Sequence, residues 1–106
     1  MSAYCAAKHG VLGLTRSLAL ETAGRGVTVN AVCPGYTDTD LAQAAVLNIA
    51  TAKAVPKDQA LAILLKSLPQ GRLTTSAEVA AAVAWLCAPD SSAVNGIALP
   101  VAGGEV

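Results

Sequence analysis

The chain predicts an α/β fold with parallel strands, and three observations carry that prediction. Stretches with helical periodicity alternate with short apolar runs rich in β-branched residues. The order is helix, strand, helices, helix, strand, so the second strand can join the first only by a crossover, which makes the pair parallel. The runs Val27–Cys33 and Ile97–Val101 suit strands covered on both faces. Two strands make a narrow sheet, and the pattern reads as part of a larger one.

From Ala3 to Ala23, Ala7, Val11, Leu14 and Leu18, flanked by Leu12 and Ala19, recur at steps of three and four and mark one helix face. Gly24 is the expected stop. Val27–Cys33 alternates, is β-branched at four of seven positions, and runs into Pro34-Gly35. Asp38, Thr39 and Asp40 all make good N-caps for a helix beginning near Leu41. A further helix over Lys57–Ser67 follows Pro56 and stops before Pro69. Thr75-Ser76-Ala77-Glu78 fits a capping box, in which hydroxyl and carboxylate exchange hydrogen bonds with first-turn amides; that helix is expected to reach Ala88 and stop at Pro89. Ile97–Val101 reads as a short buried strand.

The 106 residues allow one domain, read here as one partial domain over residues 1–106. Hydrophobic residues make up 54% and aromatic ones only 3%, with 23 alanines, a composition that lets helices pack closely. Seven basic side chains balance seven acidic ones without clustering, which argues against nucleic acid or an anionic membrane as partner, since both need a basic face. The charge-free stretches Leu41–Ala52 and Val79–Pro89 are too short to span a bilayer. The start, Met1-Ser2-Ala3-Tyr4, lacks the basic head and apolar middle of a signal peptide, which points to the cytoplasm. Cys5, Cys33 and Cys87 match neither a CxxC pair nor a zinc site, so no metal is expected and the three read as small buried hydrophobes.

Chemistry concentrates at the head of the first helix. Tyr4 and Lys8 stand four apart, so their side chains project from one face within reach of one ligand. An ammonium about 6 Å from the phenol favours the phenolate by roughly 2.8 kcal/mol at an effective dielectric near 20, which makes a tunable acid. The competing reading is a half-buried tyrosine beside a solvated lysine. His9 points about a hundred degrees away around the helix, outside any shared site. Trp85, among alanines, reads as core or subunit contact.

The run Ser2-Ala3-Tyr4-Cys5-Ala6-Ala7-Lys8-His9-Gly10-Val11-Leu12-Gly13-Leu14-Thr15 strongly resembles the active-site helix of the short-chain dehydrogenase/reductase family. In register with it, Val27–Thr39 resembles the family strand with its PGxxxT turn. Gly71-Arg72-Leu73, Glu78-Val79-Ala80, Asn95-Gly96 and Val101–Gly104 resemble the family's closing segments. The resemblance covers nearly the whole chain and implies the C-terminal portion of a Rossmann-like, doubly wound parallel sheet, two strands with flanking helices. It implies NAD or NADP as cofactor, and hydride transfer between it and a small-molecule alcohol or carbonyl. Tyr4 would be the proton donor to a carbonyl or the base for the reverse oxidation, and Lys8 would support it and hold the nicotinamide ribose. Pro34, Gly35, Thr37 and Thr39 would flank the nicotinamide, Thr37 mainly through its backbone and Thr39 through its hydroxyl, a role that can coexist with a helix N-cap. Residues 40–68 would be the substrate-covering segment, and the wording near Ala98–Val101 is similar to members acting on 3-oxoacyl, 3-hydroxybutyrate or polyketide carbonyls.

The sequence departs from the family in two places that bear on activity. It contains no GxGxxG or longer-spaced relative; Gly24-Arg25-Gly26 lies between a helix and a strand, the reverse of the order that aims amides at a pyrophosphate. The family's catalytic serine lies about a dozen residues before the tyrosine, whereas Tyr4 has three residues before it and Ser2 matches a different position. Ala102 stands where many members carry aspartate. Three readings follow: an oxidoreductase incomplete as an isolated chain, a non-catalytic fragment serving as an oligomerisation or interaction module, or a chain whose Met1 is a misplaced start.

Apolar faces that suit a wider sheet leave a strand edge and helix faces open to association, which makes a homo-oligomer the expected state. Thermal unfolding of the purified chain should therefore shift upward with protein concentration; a cooperative transition at the same temperature over a hundredfold dilution would overturn the expectation.

Overall fold

The computed structural model of the chain describes residues 1–105. In order, α1 (Ser2–Thr22) passes into a 3₁₀ turn (Ala23–Arg25), then come β1 (Ala31–Pro34), α2 (Asp40–Lys53), α3 (Lys57–Ser67), α4 (Ser76–Leu86), a second 3₁₀ turn (Pro89–Ser91) and β2 (Ala98–Val101). β1 and β2 form a two-stranded sheet. Ala31 N–H donates to Ile97 O and Gly35 N–H to Val101 O, so both strands advance in the same direction and the pair is parallel. The α/β order expected from the sequence is the order observed. Among the described residues no helix is long and apolar enough to cross a membrane.

The chain forms two compact units, one from Met1–Cys33 with Ala81–Leu99, the other from Pro34–Ala80 with the chain from Pro100 on. In the first unit α1 ends at Thr22, ahead of the expected stop, and the winding continues past Gly24 as the 3₁₀ turn. Gly24 stays inside the 3₁₀ turn, and Gly26 takes the left-handed conformation at φ 71°, its N–H reaching Ala23 O. Either glycine could serve, and the helix tightens for three residues before turning out. The periodic face is mostly uncovered: within α1 only Thr15 and Ala19 are buried, while Val11 and Leu14 are 52% and 58% exposed. Thr15 is accommodated because its hydroxyl donates to Val11 O at 2.8 Å.

The strand expected over Val27–Cys33 begins only at Ala31. Two asparagine side chains account for the difference. Asn95 Oδ1 accepts the Val29 N–H at 2.8 Å while its Nδ2 donates to Ala19 O at 3.1 Å. Asn30 Oδ1 accepts the Ile97 N–H at 3.1 Å and its Nδ2 donates to Val94 O at 2.9 Å. Side-chain amides thus satisfy the backbone groups that a longer ladder would have used. β2 likewise starts at Ala98, and its residues alternate between exposed and half-buried where full burial was expected. The last helix ends at Leu86 and not at Ala88. There the ladder tightens, Cys87 N–H reaching Ala84 O and Ala88 N–H reaching Trp85 O, and the single hydroxyl proton of Ser91, 1% exposed, has the Trp85, Leu86 and Ala88 carbonyls within 3.0 Å as acceptors.

The cysteines depart from their expected burial: Cys5 and Cys87 are exposed and Cys33 is half-buried. Cys5 sits on the uncovered part of α1 and Cys87 just beyond α4, a helix without buried residues in which Trp85 is also exposed.

In the second unit α2 and α3 form a helical hairpin. α2 ends on Ala54, a non-glycine residue at φ 52° whose N–H is tied to Ala50 O and Thr51 O, and Pro56 then sets the start of α3 at the expected Lys57. Val46, Ala60 and Leu64 are its buried centre, packed by Ile49, Ala50, Val55, Leu61 and Leu73. Replacing Leu64 by Ala empties the middle of this small core. The variant should lose about 3 kcal/mol of stability in denaturant unfolding, and a loss below about 1 kcal/mol would mean the hairpin does not fold around Leu64.

Candidate functional site

α1 presents Tyr4 and Lys8 on one exposed face. The Lys8 ammonium lies 5.5 Å from the centroid of the Tyr4 ring, over its face, and Tyr4 is 60% exposed. A four-residue helical step brings the two side chains together on that face. Among the described residues neither the Tyr4 hydroxyl nor the Lys8 ammonium has a hydrogen-bond or ion-pair partner, so both are open to a ligand. His9 is occupied elsewhere, its Nδ1 2.9 Å from Cys5 O on its own helix.

The Pro34-Gly35 turn in the second unit is built by close approach. A Cβ on Gly35 would stand 2.9 Å from the Ala102 Cβ, 3.1 Å from its Cα and 3.1 Å from Glu105 Oε2, so a side chain there would strike backbone as well as side chain. Thr37 Oγ1 donates to Gly35 O at 3.0 Å, and Thr39 Oγ1 donates to Thr37 O at 3.2 Å. Thr39 holds the N-cap position of α2, yet its hydroxyl turns back into the loop and caps no amide of the helix. Of the two roles expected for this residue, the hydroxyl is therefore free of the capping one.

Thr74 braces the turn. It forms a parallel bridge with Thr37: Thr74 N–H donates to Tyr36 O at 2.9 Å and Asp38 N–H donates to Thr74 O at 2.8 Å. In such a bridge the central residue's own N–H and C=O point to the opposite side. Thr37 O meets the Thr39 hydroxyl there, and Thr37 N–H is left as an unengaged donor among the described residues. The structure thus brings Tyr4 and Lys8 together, and Gly35, Thr37 and Thr39 together. Thr74 went unnoticed in the sequence because a single buried β-branched residue between Leu73 and Thr75 has no periodic signature.

The segment around Thr74 is anchored by charge. Arg72 Nη1 and Nη2 meet Glu78 Oε2 and Oε1 at 2.9 and 2.7 Å, a bidentate pair, and Arg72 Nη1 also donates to Leu73 O at 3.1 Å. The expected capping box is present: Thr75 N–H donates to Glu78 Oε2 at 2.8 Å and Glu78 N–H donates to Thr75 Oγ1 at 3.1 Å.

Gly24-Arg25-Gly26 forms the 3₁₀ turn and its cap, in keeping with its exclusion as a phosphate loop. An open cleft of about 660 Å³ in the first unit is lined by Thr28, Asn30 and Val32 opposite Val83, Leu86 and Cys87. Among the described residues no three His, Cys, Asp or Glu side chains group as metal ligands.

An α/β chain with a Tyr–Lys helix and a Pro-Gly turn braced by a parallel bridge belongs to a class whose members are readily compared. The family described as enoyl-(acyl carrier protein) reductase matches residues 1–105. The chain is 44% identical over 101 residues to 3-oxoacyl-[acyl-carrier-protein] reductase of Vibrio harveyi, covering 95% of this chain and 37% of that protein. It is 38% identical over 104 residues to D-beta-hydroxybutyrate dehydrogenase of Rhizobium meliloti, covering 97% and 40%. A structure of a point variant of actinorhodin polyketide ketoreductase with NADPH superposes with a TM-score of 0.90 at 41% identity, covering 97% of this chain and 40% of that one. A short chain dehydrogenase family protein from Francisella tularensis does so at 0.89 and 33%, covering 96% and 42%. The chain belongs to the short-chain dehydrogenase/reductase family. It spans about 40% of the length of these relatives.

Arg72 first, then the Thr75 amide, stabilises the ionised Glu78 carboxylate and lowers its pKa from 4.5 to about 2. A carboxylate depressed in the folded state stabilises the fold above its ordinary pKa and loses that contribution as pH falls through the folded value. The start of α4 should accordingly loosen between pH 4.5 and about 2, as amide exchange at Ser76–Val79 will register. Glu78→Gln should remove that pH step, and a step of the same size in the variant would assign it to another group.

Proposed function

We propose that this chain supplies the proton-transfer residues of an NAD(P)-dependent interconversion of an alcohol and a ketone, with Tyr4 as the acid and Lys8 as its partner. The observation that carries the reading is the Tyr4–Lys8 pair itself: phenol and ammonium on one exposed helical face, 5.5 Å from ring centroid to nitrogen, with no other partner among the described residues. In the reductive direction Tyr4 gives its hydroxyl proton to the substrate oxygen, and the Lys8 ammonium offsets the charge developing on the phenolate. In the oxidative direction Tyr4 as phenolate removes the hydroxyl proton.

A nicotinamide cofactor, when bound, supplies or accepts the hydride. The residues present suit its nicotinamide end. Gly35 lets the turn close against Ala102, Thr37 N–H is an unengaged donor for a carboxamide oxygen, and the Thr39 hydroxyl is not taken by α2. Pro34 fixes the entry to that turn, and Lys8 is open to ribose hydroxyls. The names of the relatives support the substrate class: a 3-oxoacyl reductase, a hydroxybutyrate dehydrogenase and a polyketide ketoreductase all point to an oxygen function β to an acyl group. The α2–α3 hairpin is the segment proposed to set substrate choice.

A second reading, a module that associates with a copy of itself, is favoured by the exposed apolar side chains Val11, Leu14, Leu20 and Leu41.

Purified chain at high concentration, given NADPH or NADH and a 3-oxoacyl thioester, should consume the cofactor slowly, since its sequence holds neither the glycine motif nor the matching serine. Tyr4→Phe should cut the rate by about a hundredfold or more while the change in nicotinamide fluorescence on binding persists. Unchanged fluorescence and no carbonyl reduction by the parent chain would sink the enzymatic reading. A monodisperse monomer in sedimentation would count against self-association.

A further inference from the structure

We propose that Arg72 and Glu78 are positioning residues for the Thr37 amide, acting through Thr74 in addition to capping α4. The inference deepens the reading above and takes from it the role of the Thr37 N–H as a carboxamide donor. Its geometry stands on its own. Glu78 Oε2 accepts the Thr75 N–H at 2.8 Å, and the guanidinium that pairs with Glu78 also donates to Leu73 O at 3.1 Å. One ion pair therefore holds the chain on both sides of Thr74. Thr74, 9% exposed, spends its own N–H and C=O on Tyr36 O and Asp38 N–H, the two groups that flank Thr37. Rotating the Thr74 peptide planes would break one bond or the other, and with it the alternation that turns the Thr37 N–H outward.

A pair with both side chains more than two-fifths exposed contributes little to global stability. That is the reason the proposal separates from a merely structural role. Loss of the pair should leave the fold standing and change the aim of one amide. Glu78→Gln keeps an acceptor for the Thr75 N–H and removes the charge, whereas Arg72→Lys keeps the charge and removes the fork that reaches Leu73 O.

The experiment uses the ¹⁵N-labelled 106-residue chain, the two single variants and the double variant. Each single variant should move the Thr37, Asp38 and Thr74 amide resonances and speed their exchange, with the melting temperature little changed. NADPH titrated by fluorescence should bind more weakly by on the order of fivefold, and the double variant should lose no more than either single one. Shifts confined to Thr75–Ala80, with Thr37 and Asp38 unmoved, would overturn the proposal and leave the pair as a helix cap. If the parent chain does not respond to NADPH, the functional reading falls, and the Thr37 and Asp38 resonances alone still decide whether the pair positions the turn.

Discussion

Parallel strands need an agreed starting point, and here two side-chain amides provide it. Asn30 and Asn95 each satisfy backbone groups on the opposite chain segment, and Asn95 reaches on to the carbonyl of Ala19 in α1. An amide side chain offers a donor and an acceptor at fixed separation, so each asparagine can meet one N–H and one C=O at once. The four bonds set where β1 and β2 begin to pair, and they tie the far end of the helix that carries Tyr4 to that point. Slippage by one residue would leave all four partners half-satisfied, at a cost far above that of a frayed ladder.

The second unit repeats the principle with main chain in place of side chains. The Pro34–Thr39 turn has no regular structure of its own to hold it. Its shape comes from Gly35 pressed against Ala102 and from the Thr37–Thr74 bridge. Hydroxyls of Thr37 and Thr39 fill in the bonds that remain, one residue's oxygen serving the next.

Local punctuation was the part of the structure open to reading from sequence. Pro56 and Pro69 bracket α3, and the capping box marks the start of α4, because proline and capping geometry act within a few residues. The Tyr4–Lys8 face followed from helical spacing alone. What escaped was non-local. The start of β1 depends on residues more than sixty positions away, and the last carbonyl of α4, that of Leu86, meets a serine five residues further along. Periodicity on α1 identified an apolar stripe correctly but could not say whether anything covers it. Val11 and Leu14 are exposed, and so is Cys5, whose expected burial rested on cysteine being a small hydrophobe without a redox or zinc spacing. Thr74 was invisible for the same reason, since its importance lies in two backbone groups and not in its side chain.

The Thr37 amide differs in kind from the charged side chains proposed for the chemistry. A peptide N–H does not titrate between acid and alkaline extremes, and it carries no net charge for salt to screen. A group that it bound would have to offer a lone pair, and dissolved salt would not screen that bond. Lys8, exposed on α1, is the opposite kind of contact, a full charge whose reach shrinks to about 8 Å at physiological ionic strength. In the proposed roles one contact would read hydrogen-bond polarity and the other charge, so ionic strength would act as a dial that weakens the second and leaves the first untouched.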